Sequence, residues 1–101
     1  MRYANRNAVV LGLGMTGLSM ARYLAREGAR VRVADTRRAP PHAAELATLL
    51  PNVPLVAGPF VDETFTGADL IATYASNSFD FATLVKDTSL YYPRFVRLTY
   101  R

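Results

Sequence analysis

Cysteine is absent from this chain, and histidine appears once, as His42. The first absence excludes disulfides and thiolate metal sites, and it fits a reducing compartment. A single histidine cannot make a metal site. No apolar stretch approaches the roughly 20 residues that a membrane span needs. The first residues hold no long apolar segment and no small-residue cleavage pattern. No secretory signal is therefore expected, and the chain reads as cytoplasmic. Long basic runs are missing too, the longest cluster being Arg37-Arg38. A net charge of +4 then describes a mildly basic surface, or one that meets an anionic ligand. It signals nucleic acid only weakly. Neither a nucleic-acid nor a membrane partner is expected.

What is present is half hydrophobic and 101 residues long. That suits one small domain, 1–101. At this size only roughly 60–65% of the unfolded surface is buried, so stability should be modest. Ala8–Leu11 reads as a short buried strand. Gly12, Gly14 and Gly17 follow as G-x-G-x-x-G. The spacing of Leu18, Ala21, Leu24 and Ala25 predicts a helix over Thr16–Glu27, closed by Gly28. Arg30–Ala34 is the second strand, and Asp35 follows it. Beyond Ala39-Pro40-Pro41, a helix is expected at His42–Leu50, stopped by Pro51. Strands are expected at Pro54–Ala57 and Asp69–Thr73, with one helical turn at Asp62–Phe65.

Strands alternating with helices predict an α/β fold: a Rossmann-like three-layer domain with a parallel sheet of four or five strands. The expected order is 3-2-1-4, with right-handed crossovers and helices on both faces. Residues 74–101 change character: they hold no glycine and are rich in tyrosine. A helix at Ser78–Lys86 and a half-exposed strand at Phe95–Tyr100 would complete the sheet. Such an edge strand could pair two copies into a homodimer.

The glycine turn gains meaning from its order: strand, turn, helix, strand, acid. That order makes a helix N-terminus into a phosphate cradle. Gly12 and Gly14 allow unusual backbone angles and close ligand approach. Gly17 lets the helix lie near the strand. The amides of Met15, Thr16, Gly17 and Leu18 would face the mouth, with the helix dipole behind them. The Thr16 hydroxyl suits either a helix cap or a phosphate oxygen. Ser19, one turn in, suits a bond to the helix backbone. Asp35 suits ribose hydroxyls or a solvated loop. Arg37 could meet a 2′-phosphate or lie over a base, and Arg38 reads as surface. No catalytic group and no metal site stand out.

Residues 8–73 resemble the N-terminal domain of the Mur ligase family, in its D-glutamate-adding branch. The resemblance rests on V-V-L-G-L-G-M-T-G-L-S-M-A-R-Y-L, R-V-R-V-A-D-T-R-R-A-P-P, G-P-F and A-D-L-I-A. It implies recognition of the UDP end of UDP-N-acetylmuramoyl-L-alanine. Gly14, Met15, Thr16 and Gly17 would form the diphosphate cradle, with the amides of Met15 and Thr16 holding it. Asp35 and Thr36 would read the uracil and its ribose, and Arg37 would flank the uracil. The family's ATP-binding domain carries a Gly…Lys-Thr/Ser loop, and this chain has one lysine, Lys86. A fragment inactive by itself is therefore expected, with no cofactor in this chain, although the parent enzyme would need ATP and magnesium. The family's Ser-Pro-Gly turn after the fourth strand is replaced by Tyr74-Ala75-Ser76-Asn77-Ser78. Two other readings stay open. One is an NAD(P)- or flavin-binding Rossmann domain. The other is a chimeric or designed structural domain in which the site is incidental.

Overall fold

The computed structural model describes residues 2–73. Within them lie β1 (Asn7–Leu11), α1 (Met15–Arg26), β2 (Arg30–Asp35), α2 (Ala43–Leu49), β3 (Leu55–Ala57), a 3-10 turn (Asp62–Phe65) and β4 (Leu70–Thr73). The strands form one sheet in the order β3-β2-β1-β4. Every pairing is parallel, as expected. The expected helix at Ser78–Lys86, the strand at Phe95–Tyr100 and the edge-strand homodimer lie outside the described residues.

β1 sits in the middle because it is apolar on both sides. Ala8 and Val10 enter one core layer, Val9 and Leu11 the other. Such a continuous run is what a strand covered on both faces requires. The register aligns Leu11 with Ala34 on β2 and with Thr73 on β4. The carboxyl ends of three strands therefore lie level, and the glycine turn and Asp35 emerge at that edge.

α1 buries Gly17, Leu18, Met20, Ala21 and Leu24 and leaves Arg22 and Arg26 in solvent. Its end is closed from within the chain. The Gly28 amide donates to the Ala25 carbonyl at 3.1 Å, and the Ala29 amide to the Leu24 carbonyl at 3.0 Å. Gly28 has a φ of 90°, the left-handed turn that this Schellman closure needs. The shorter α2 buries only Leu46. Element edges differ from the sequence expectation by about one residue.

Two expectations are corrected. Helices were expected on both faces, but α1 and α2 both pack into the layer of Val10, Val33 and Leu46. The chain steps outward from β1 to β2 to β3, so crossovers of one hand bring both helices to one side. It then returns across the sheet to β4, and that connection covers the other face. There the 3-10 turn supplies Phe65, which meets Phe60 edge-on with centroids 5.9 Å apart. The lead-in, read as loose, is also tied down. The Tyr3 amide donates to the Glu27 carbonyl at 2.9 Å, the Arg2 amide to the Glu27 carboxylate at 3.0 Å. The Tyr3 ring packs edge-on against Tyr23 at 6.3 Å.

Candidate functional site

The three glycines of the turn meet three different demands. Gly12 takes a φ of 90°, and its amide donates to the Ala34 carbonyl at 2.7 Å. Only a residue without a side chain adopts that angle at no steric cost. A Cβ on Gly17 would overlap the carbonyl of Gly12, so helix and turn touch backbone to backbone. Gly14 is the N-cap of α1 in an extended conformation, φ −89° and ψ −168°. A Cβ there would meet nothing within 4 Å. Gly14 thus faces open space.

That space borders the start of α1. The Leu18 amide donates to the Gly14 carbonyl at 3.0 Å, so it is not among the available donors, contrary to the sequence expectation. The amides of Met15, Thr16 and Gly17 find no acceptor among the described residues. Thr16 is not the cap: Gly14 holds that position, with no side chain to offer. The Thr16 hydroxyl is left half-buried and without a partner among the described residues. Ser19 does bond the helix, its Oγ donating to the Met15 carbonyl at 3.1 Å. Unspent amides at a helix start carry partial positive charge and favour an anion.

Asp35 closes the other side of the turn. It is 2% exposed, so the solvated-loop alternative does not hold. Its Oδ2 accepts from the Leu13 amide at 2.8 Å and from Arg37 Nη2 at 2.7 Å. Its Oδ1 accepts from the Arg37 amide at 2.8 Å and from Arg37 Nε at 3.0 Å. The Arg37 guanidinium, with the two amide donors beside it, outweighs burial and lowers the Asp35 pKa to about 2. The same carboxylate raises the pKa of Arg37. Thr36 and Arg38 are exposed. The turn residues and the 35–37 segment are thus joined through one carboxylate.

Two contributions escaped sequence reasoning. One is the Leu13 amide, a backbone donor that no residue type announces. The other is Arg32, on β2. Its Nε donates to the Thr64 carbonyl at 3.1 Å and its Nη2 to the Thr66 carbonyl at 2.6 Å. A charged residue inside Val31-Arg32-Val33-Ala34 was the available signal. A cleft of about 630 Å³ lies at the opposite end of the sheet, between the end of α1 and the 50–54 loop. Its walls include Ala25, Ala29, Val31, Leu50 and Val53, and it is remote from the glycine turn. Among the described residues, no three histidine, aspartate or glutamate side chains gather as a metal site would need. No helix among them is long and apolar enough to cross a membrane.

A parallel sheet ordered 3-2-1-4, with a glycine turn after its first strand, defines a Rossmann-like α/β domain. The fold recurs in L-tryptophan dehydrogenase from Nostoc punctiforme, with a TM-score of 0.65 at 21% identity. The match spans 97% of this chain and 28% of that one. The Mur ligase MurD-like, N-terminal domain family matches residues 6–75, and the chain belongs to it. The chain is similar to the UDP-N-acetylmuramoylalanine--D-glutamate ligase of Chromobacterium violaceum, 54% identical over 71 residues. That stretch is 70% of this chain and 16% of the relative. The ligase of the same name from Thiobacillus denitrificans is 52% identical over 71 residues, 70% of this chain and 15% of the relative. The one from Albidiferax ferrireducens is 42% identical over 85 residues, 81% of this chain and 17% of that relative. The chain therefore spans about one-sixth of the length of the curated relatives it matches.

Proposed function

We propose that this domain grips the uridine diphosphate end of a muramoyl-nucleotide substrate and performs no chemistry by itself. The observation that carries the reading is the set of unpaired amides on Met15, Thr16 and Gly17, beside the open space at Gly14. Diphosphate oxygens would accept from those amides, where the helix dipole adds to the attraction. The Thr16 hydroxyl is placed one residue along the same rim. Thr36 and Arg37, at the end of β2, are exposed to meet the nucleoside. The relatives' name supplies the substrate class, and family membership makes the ligase branch the natural parent. In this reading the domain works in the cytoplasm, and ATP and magnesium belong to other parts of the parent.

Amide shifts on titration with UDP test the reading. Movement should centre on Gly14–Gly17 and Asp35–Arg37, with a Kd of roughly 0.1–10 mM. Folded protein whose amide signals stay still at tens of millimolar UDP would exclude the site.

A further inference from the structure

The Asp35 carboxylate is fully subscribed by the protein. An ionised carboxylate offers about four lone-pair positions. Four donors fill them here: the Leu13 amide, the Arg37 amide, Arg37 Nε and Arg37 Nη2. The Asp35 side chain is 3% exposed, whereas that of Arg37 is 54% exposed. The arginine therefore lies as a half-open cover over a buried acid. In a Rossmann dinucleotide site, the acid at this strand end accepts from ribose hydroxyls. A ribose diol would have to displace Arg37 from a two-point, charge-assisted contact before Asp35 could receive it.

We infer that Asp35 is a positioning and selectivity residue. It ties the glycine turn to Arg37, and it keeps no free acceptor for the ribose diol of a dinucleotide. The inference rests on the uridine diphosphate reading and goes further, since it says why such a site would reject NAD. Through Leu13 the carboxylate fixes the turn that carries the diphosphate amides. Through Arg37 it fixes the cation beside the nucleoside. One buried group thus couples the two halves of the site, and it does so before any ligand arrives. An arginine is needed for this: its planar fork meets two carboxylate oxygens at once, which a lysine cannot do.

The test is calorimetric titration of the 101-residue chain with UDP, inorganic pyrophosphate and NAD, alongside Arg37→Gln and Asp35→Asn. The parent should bind UDP at least roughly tenfold more tightly than NAD, a charge-assisted contact being worth about that factor. Arg37→Gln should weaken UDP, leave pyrophosphate unchanged, and narrow the gap between UDP and NAD. Asp35→Asn should weaken pyrophosphate and UDP together, because the turn loses its tie. If Asp35→Asn does not fold, slow hydrogen exchange at the Leu13 amide in Arg37→Gln keeps the coupling testable, since Asp35 should still accept from it. An Arg37→Gln chain whose preference for UDP over NAD matches the parent overturns the inference and leaves the uridine diphosphate reading intact. The same holds for an Asp35→Asn chain that binds pyrophosphate as the parent does. A parent that binds neither UDP nor pyrophosphate, or prefers NAD, overturns both.

Discussion

At the scale of single residues, the spacing G-x-G-x-x-G conceals unequal roles. Gly17 has no room for a Cβ beside the Gly12 carbonyl, so Gly17→Ala must push α1 off the turn. A loss of about 3 kcal/mol or more is expected in thermal or urea unfolding. Gly14→Val should cost about 1 kcal/mol or less, because the position is open and its backbone is already extended. It should nevertheless abolish the UDP response, by filling the space that the phosphates need. Equal destabilisation by the two variants would show that the helix start has been misassigned. Asp35 adds a pH signature. Its carboxyl is held near a pKa of about 2, below the ordinary aspartate value of 3.8. A carboxyl with a depressed folded-state pKa stabilises fully above its unfolded pKa. That stability is lost as pH falls through the folded pKa. Some 1–2 kcal/mol, discounted for the half-exposed Arg37, should therefore disappear between about pH 4 and pH 2. Denaturant midpoints across that window should fall more steeply in the parent than in Arg37→Gln. The glycines and Asp35 were legible in the sequence because their order is distinctive. The partners of Asp35 were not: one is a backbone amide, and the other, Arg37, was read only toward a ligand.

Among the elements, legibility followed how regular the local pattern is. β1, α1 and β2 carry clear periods, and the sequence places them to within about a residue. Alternation of strand and helix does not say which face a helix covers, which is why α1 and α2 were expected apart and lie together. The return stretch from β3 to β4 has no helical period, so its role in capping the second face could not be read. That role rests on Phe65 and on Arg32, whose guanidinium holds the Thr64 and Thr66 carbonyls. Arg32→Lys keeps the charge but loses the fork that spans two acceptors. We expect faster hydrogen exchange at the amides of Thr64, Thr66 and Ala68. These donate to Val61, Glu63 and Phe65 and hold the turn in shape. Global stability should fall by about 1–2 kcal/mol. The UDP response should be unchanged, since the site lies on another edge of the sheet. Exchange at those three amides indistinguishable from the parent would mean that Phe65 alone anchors the turn.

For the whole molecule, the small size makes binding and folding inseparable. The sheet has an exposed edge in β3, where Val56 is 39% accessible, and only Phe60, Phe65 and Ala68 pack against the inner residues of its second face. Net stability of a domain so small is a few kcal/mol, so even a weak ligand shifts it visibly. With a Kd near 1 mM, about 10 mM UDP should add roughly 1.4 kcal/mol. For a domain of this length, that corresponds to a rise in Tm of about 5–10 °C. The uridine diphosphate reading also orders the responses to related compounds. Pyrophosphate, which reaches the Met15–Gly17 amides but not Arg37 and Thr36, should give part of the rise. Uridine, which carries no phosphate, should give little. ATP should be cleaved by none of the protein present, since the chain's one lysine, Lys86, follows no glycine-rich loop. Melting curves with the three ligands at equal concentration, and phosphate release from ATP in the same preparation, check this order. A uridine response as large as that of UDP would place recognition in the nucleoside and remove the phosphate role from the glycine turn.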